Sequence, residues 1–181
     1  RVLFRSGGDS ATAGMQTTLS VLVLCGRQSY VAHAGDSRVY RLRGAALSQM
    51  TADHSEAAEL VRLRLIAPEA AASHPRRSVL TRTVGATPRL RPDFARAPLE
   101  NGDRFLLCTD GLWGEVHDDE LAAAMALPPA RGCEHLVSMA NDRGGGDNMS
   151  VAIVHVTDAG PPAPVPATVR LARLLSGLRG G

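Results

Sequence analysis

Arg104-Phe105-Leu106-Leu107-Cys108-Thr109-Asp110-Gly111-Leu112-Trp113 is an apolar run that ends on a carboxylate, and a glycine follows at once. The run has the length and residue types of a buried strand. A carboxylate at the end of such a strand is costly unless a metal ion or an arginine satisfies it. Gly111 permits a sharp turn there, and Trp113 either walls a site or packs. Asp110 is therefore a functional group at a sheet rim or a structural cap.

Two other stretches repeat the arrangement. His33-Ala34-Gly35-Asp36-Ser37-Arg38 places Asp36 after the apolar run Ser29–Ala34, and Gly144-Gly145-Gly146-Asp147-Asn148 places Asp147 before Ser150–Val156. Taken singly, Asp36 reads equally as a turn residue with an arginine neighbour, and Asp147 as part of an ordinary helix-to-strand turn. Together, three carboxylates at strand–glycine junctions point to metal-assisted phosphate chemistry.

The rest of the pattern is α+β. Thr17–Cys25, Ser29–Ala34 and Val39–Leu42 read as three successive strands in an antiparallel meander, because their links are too short for parallel crossovers. Ser55 caps a helix carrying Ala58, Leu60, Val61 and Leu65. Pro68 and Pro75 break that pattern, leaving His74, Arg76 and Arg77 on a surface loop or on an insertion over a site. Asp93–Leu99 and Arg104–Thr109 form a further strand pair across Asn101-Gly102, a strong turn signal. Helices follow from Asp118 to Leu127, with acids in the first turn, and from Ala130 to Asn141. Short links with segregated helices argue for layered antiparallel sheets.

Length and composition bound the function. The 181 residues suit one domain, with 44% hydrophobic and 21% charged residues. A formal net charge of +2 gives no reason to expect nucleic acid or an anionic membrane. All basic residues are arginine, which with abundant Ala, Gly and Pro indicates a GC-rich, bacterial source. Cys25, Cys108 and Cys133 form no CxxC pair, as expected of reduced thiols in a cytoplasmic protein. Nothing approaches the roughly 18 apolar residues of a membrane span. Arg1–Ser6 continues no pattern and resembles translated sequencing adapter, so it is set aside as a non-native scar. Gly160–Ala167 is a linker, and Val169, Leu171, Leu174, Leu175 and Leu178 form an amphipathic helix or a frayed end.

Several phosphate chemistries are excluded. A haloacid-dehalogenase nucleophile would stand at position 108, which is cysteine. A cysteine phosphatase would need arginine at position 114, which is glycine. The glycine run lacks the lysine of a Walker loop, and the acids near Asp142 do not alternate as in an EF-hand. The remaining histidines have no metal-ligand spacing.

Six collinear motifs, Gly14-Met15-x-Thr17-Thr18, HAGDSRVYRLR, Asp53-His54-Ser55, LTRTVGA from Leu80 to Ala86, GDRFLLCTDGLW and GGGDNMSVAIV, resemble the type 2C protein serine/threonine phosphatases. The resemblance implies a four-layer α-β-β-α sandwich with two antiparallel sheets, incomplete at its N-terminus. Residues 7–157 correspond to part of the catalytic domain, with a flap at about 56–79, and 158–181 to a tail. It further implies that Asp110 and Asp147 hold a Mn²⁺ or Mg²⁺ pair, that Asp36 with Asp110 holds a third ion, and that Asn148, Gly111 and Ser37 support them. Metal-activated water would hydrolyse phosphoserine and phosphothreonine on proteins phosphorylated by a bacterial Ser/Thr kinase. A cytoplasmic monomer is expected. A pseudophosphatase or regulatory binding module, and a stress- or sporulation-type phosphatase acting on an anti-sigma antagonist, are the alternatives.

The family's phosphate-gripping arginine, first acidic ligand and DGxGG segment have no counterpart in this sequence, whose one Asp-Gly is Asp110-Gly111. Gln16 also replaces the family's usual glycine. Residues 1–181 alone are accordingly expected to bind the metal pair poorly.

Overall fold

The computed structural model describes residues 14–71, 73–87 and 89–161. The expected scar and amphipathic tail helix lie outside these residues. Seven strands, β1 (Leu19–Cys25), β2 (Gln28–Ala34), β3 (Arg38–Arg43), β4 (Ala46–Gln49), β5 (Asp93–Pro98), β6 (Arg104–Cys108) and β7 (Val151–His155), form two antiparallel sheets. The first has the order β1-β2-β5 and the second β4-β3-β6-β7. Five helical segments complete the described chain: α1 (Glu56–Arg62), α2 (Pro68–Ala71), α3 (Asp110–Trp113), α4 (Asp118–Ala126) and α5 (Pro129–Asp142).

The hairpin between β1 and β2 forms as the sequence suggests, turning through Gly26 and Arg27, both with positive φ. The meander stops there. β3 leaves for the second sheet, where it pairs with β4 and β6. Gly35 makes this crossing possible: its φ is +115°, and a Cβ there would lie 2.4 Å from Thr18 Cγ2. The expected pairing of Asp93–Leu99 with Arg104–Thr109 also fails. β5 pairs with β2, and β6 with β3 and β7. The Asn101-Gly102 turn exists, but its few residues span the roughly 10 Å between stacked sheets instead of closing a hairpin. A short link limits reach without specifying the partner.

β6 is central and buried on both faces, which is why it reads as a continuous apolar run. Phe105 faces the first sheet with Leu99, Val156, Leu22 and Leu24. Leu106 and Cys108 face the other way, joining Tyr40, Leu42, Leu121, Met125 and Leu136 beneath α4 and α5. Ser55 caps α1 by accepting from the Ala58 N–H at 3.2 Å. The outer face of the first sheet exposes Leu19, Val21, Val23, Tyr30 and Phe94. The described residues thus supply three of the four layers.

One buried ion pair fixes the end of the sandwich opposite the Asp36 turn. Asp103 is 1% exposed and takes two bonds from Arg43, at 2.7 and 2.8 Å, and one from the Glu100 N–H at 2.9 Å. Burial pushes its carboxyl upward, but these donors outweigh burial and hold it below the ordinary carboxylate value. A depressed carboxylate stabilises the fold above its unfolded pKa, and that contribution is lost as pH falls through the folded value. Asp103→Asn should therefore cost roughly 2 kcal/mol at pH 7 and much less near pH 3. Thermal unfolding at the two pH values measures the difference.

Candidate active site

The three aspartates that the sequence singles out line one cleft of about 250 Å³, together with Gly111, Arg77 and Ser78. Asp110 arrives there because β6 ends at Cys108 and Thr109 takes an extended conformation before the single turn of α3. Thr109 carries the β6–β7 ladder one step further: its N–H donates to the Ser150 carbonyl at 3.2 Å, and its Oγ1 accepts from the Ser150 N–H at 2.9 Å. This step holds the loop bearing Asp147 beside the strand end bearing Asp110.

Gly111 sets how closely the two loops approach. A Cβ at that position would lie 2.7 Å from the Asn148 carbonyl oxygen and 3.2 Å from that of Asp147. Only glycine fits this backbone approach without movement. Each carboxylate is oriented by the following peptide: Asp110 Oδ1 accepts from the Gly111 N–H at 3.0 Å, and Asp147 Oδ1 from the Asn148 N–H at 2.7 Å.

Asp36 enters from the sheet-crossing turn. Its backbone carbonyl accepts from Trp113 Nε1 at 3.0 Å, tying the turn to the helix that begins at Asp110. The adjacent arginine does not neutralise it. Arg38 donates to both Asp53 oxygens and to the Tyr40 hydroxyl, and its guanidinium stacks 3.6 Å over the Trp113 ring. Burial, then the charges of Asp110 and Asp53, push the Asp36 carboxyl up to about 6. With no cation in the cleft, ionising Asp36 lowers stability as pH rises through 4 to 6. Among the described residues, no three His, Cys, Asp or Glu side chains are grouped so as to hold a metal ion by themselves.

The supporting residues separate. Asn148 supplies the N–H on Asp147 and the carbonyl against Gly111. Ser37 does not line the cleft: its Oγ lies 2.8 Å from Thr18 Oγ1, and its carbonyl accepts from Ser20 Oγ. Its place is the bond between the turn and β1. His33 is a buried core histidine, 2.9 Å from Ser20 Oγ and with its ring 4.8 Å from that of His54. Burial pushes the Cys108 thiol up to about 12, so it carries almost no thiolate at neutral pH and is no nucleophile.

Arg77 and Ser78 were legible only as members of a polar stretch and of the flap that the resemblance implies at about 56–79. They reach the cleft because the segment returns to its root, where Glu56 N–H donates to the Val79 carbonyl and Ser55 bridges Leu80. Arg77 and Ser78 of this segment thus line the same cleft as the three aspartates.

The protein family described as Protein phosphatase 2C matches residues 5–141. The chain belongs to that family. Protein phosphatase PhpP of Streptococcus pneumoniae is 39% identical over 154 residues, covering 84% of this chain and 63% of that protein. Among solved structures, the Mycobacterium tuberculosis serine/threonine phosphatase PstP/Ppp superposes with a TM-score of 0.76 at 36% identity, covering 80% of this chain and 62% of the other. The catalytic domain of PstP in complex with two manganese ions gives a TM-score of 0.72 at 34% identity, covering 80% and 60%. The chain thus spans about three-fifths of these relatives' lengths.

Within this phosphatase 2C cleft, Gly111→Ala should lower stability by about 1–3 kcal/mol, since the new Cβ must displace backbone. Gly146, where a Cβ meets nothing within 4 Å, is the control. Thermal unfolding should show a clear loss for Gly111→Ala and almost none for Gly146→Ala.

Proposed function

We propose that the full-length protein carrying this chain is a metal-dependent protein serine/threonine phosphatase, and that this cleft is the larger part of its active site. The carrying observation is the convergence of Asp36, Asp110 and Asp147, from three separate elements, on one cleft. Family membership gives the reaction class, and the two manganese ions of PstP give the cofactor.

The residues present fit such ions in chemistry. Divalent Mn²⁺ and Mg²⁺ are hard cations that take carboxylate oxygen, and Asp36, Asp110 and Asp147 line one cleft with carboxylate oxygens to offer. The donor set is partial, in keeping with the share of its relatives that the chain spans. On this reading Asp110 and Asp147 hold the metal pair, and Asp36 with Asp110 holds a third ion. Bound there, the ions would supply an acidified water and a clamp on phosphoryl oxygens.

The chain's own groups do the positioning. Gly111 and Thr109 fix the separation of the Asp110 and Asp147 loops, Asn148 orients Asp147, and Trp113 holds the Asp36 turn. Arg77 and Ser78 present a guanidinium and a hydroxyl to the same cleft, where an anionic substrate enters. The inert Cys108 leaves no covalent route through this strand. The substrates are phosphorylated proteins, those of a bacterial Ser/Thr kinase, met by a monomer in the cytoplasm. No described helix is long and apolar enough to cross a membrane.

The absence of a three-acid cluster among the described residues favours one second reading, a pseudophosphatase that keeps the fold for binding. Hydrolysis of p-nitrophenyl phosphate by the full-length protein separates the two. The enzyme reading expects Mn²⁺-dependent turnover. Supporting residues around a metal are worth 10–100-fold, so Asp110→Asn and Asp147→Asn should each cost more than about 100-fold in kcat. Unchanged rates in both variants would remove the metal assignment.

A further inference from the structure

A second cleft of the described residues lies apart from the three aspartates. It has a volume of about 530 Å³ and is lined by Thr81, Arg82, Thr83, Thr87, Arg89 and Arg91, with Asp93 at its edge. Its charge is lopsided. Three guanidiniums face one carboxylate, and that carboxylate is fully engaged: Asp93 Oδ1 accepts from Arg82 at 2.6 Å, and Oδ2 lies 3.1 Å from His54 Nε2. These partners, His54 first, hold the Asp93 carboxyl below its ordinary value, so it does not pick up a proton to release them.

Arg82 is thus committed to Asp93. Arg89 and Arg91 are exposed, and no ion pair or hydrogen bond engages either guanidinium among the described residues. The cleft therefore carries about two unbalanced positive charges, as many as the formal net charge of the entire chain. Charge elsewhere on the chain nearly cancels, so this loop is a local focus of positive potential.

Chain connectivity also keeps the cleft near the candidate active site. Ser78 lines the aspartate cleft and Thr81 the arginine cleft. Three residues of backbone span at most about 11 Å, and the Ser55–Leu80 bridge and the Thr81 N–H to His54 carbonyl bond hold this stretch in place. A polypeptide whose phosphorylated side chain sits among the aspartates can lay a neighbouring segment between Arg89 and Arg91.

We infer that this arginine cleft is a substrate-docking site for an acidic segment flanking the phosphorylated residue of a protein substrate. The inference rests on the phosphatase reading above and adds a substrate preference to it. Exposed guanidiniums recognise carboxylates through charge and paired N–H donors. Their contribution is screened by salt, so the preference should weaken as ionic strength rises.

The test uses the full-length protein and the double variant R89E/R91E, which replaces two guanidiniums that bond to no described group and leaves the backbone carbonyl contacts of both residues in place. The substrates are a phosphothreonine peptide flanked by glutamates, the same peptide flanked by lysines, and p-nitrophenyl phosphate. Docking predicts that the variant raises KM for the acidic peptide about tenfold. It predicts no change in kcat, in p-nitrophenyl phosphate turnover or in unfolding temperature. An unchanged KM for the acidic peptide, or an equal change for the basic one, overturns it.

Should the protein fail to turn over p-nitrophenyl phosphate, the phosphatase reading fails, and the cleft is read separately. Fluorescence anisotropy of a labelled, unphosphorylated acidic peptide should then show binding that R89E/R91E abolishes. Binding unaffected by the variant, or competition by inorganic phosphate alone without acidic peptide binding, counts against docking.

Discussion

The approach of the Gly111 backbone to the Asn148 carbonyl is the constraint on which the site depends. It exists because β6 and β7 pair in register up to Cys108–Val151 and because Thr109 and Ser150 add one further step. Beyond that step the chains diverge into two loops, each starting with a carboxylate turned by the next peptide N–H. A side chain at position 111 would push them apart. The core beneath, from Leu106 through Leu112 to Leu136, packs between the second sheet and its helices, so the two strand ends share one rigid base.

Asp36 comes to the same place by a different route, and its setting shows how the site is tuned. The turn after β2 changes sheets, which brings Asp36 to the rim shared by both. Trp113 Nε1 anchors its backbone, and Arg38, the neighbour that would otherwise neutralise it, is drawn to Asp53 and to the indole face. The outcome is a buried carboxyl, raised to about 6, facing a second carboxylate. Such crowding lowers stability unless a cation enters, the usual cost of a preorganised anionic site. Cys108, adjacent in sequence to this chemistry, is kept neutral by the same burial.

Much of this was legible in the sequence, and the rest failed for identifiable reasons. The strand runs, the Ser55 cap and the three aspartates beside glycine follow from local patterns, and those patterns are local in the structure. Pairing is not local. The runs ending at Ala34 and starting at Arg38 look like hairpin partners, as do those around Asn101-Gly102, yet each link passes between sheets. What decides the pairing is burial on both faces of β6 and the Gly35–Thr18 contact, which join residues far apart in sequence. Ser37 was expected beside the metals and instead bonds to β1, because neighbours at a turn face different elements. Arg77 and Ser78 fell within the flap that the resemblance implies at about 56–79, but nothing in the sequence singled them out; the return of their segment to Ser55 brings them to the cleft.

Whether Asp110 and Asp147 share a pair of divalent ions can be seen by diffraction. Crystals of the full-length protein grown with Mn²⁺, with data collected at the manganese absorption edge, should show anomalous peaks within about 2.6 Å of both carboxylates. Peaks confined to other sites, or none in this cleft at saturating Mn²⁺, would show that the two aspartates hold no metal pair.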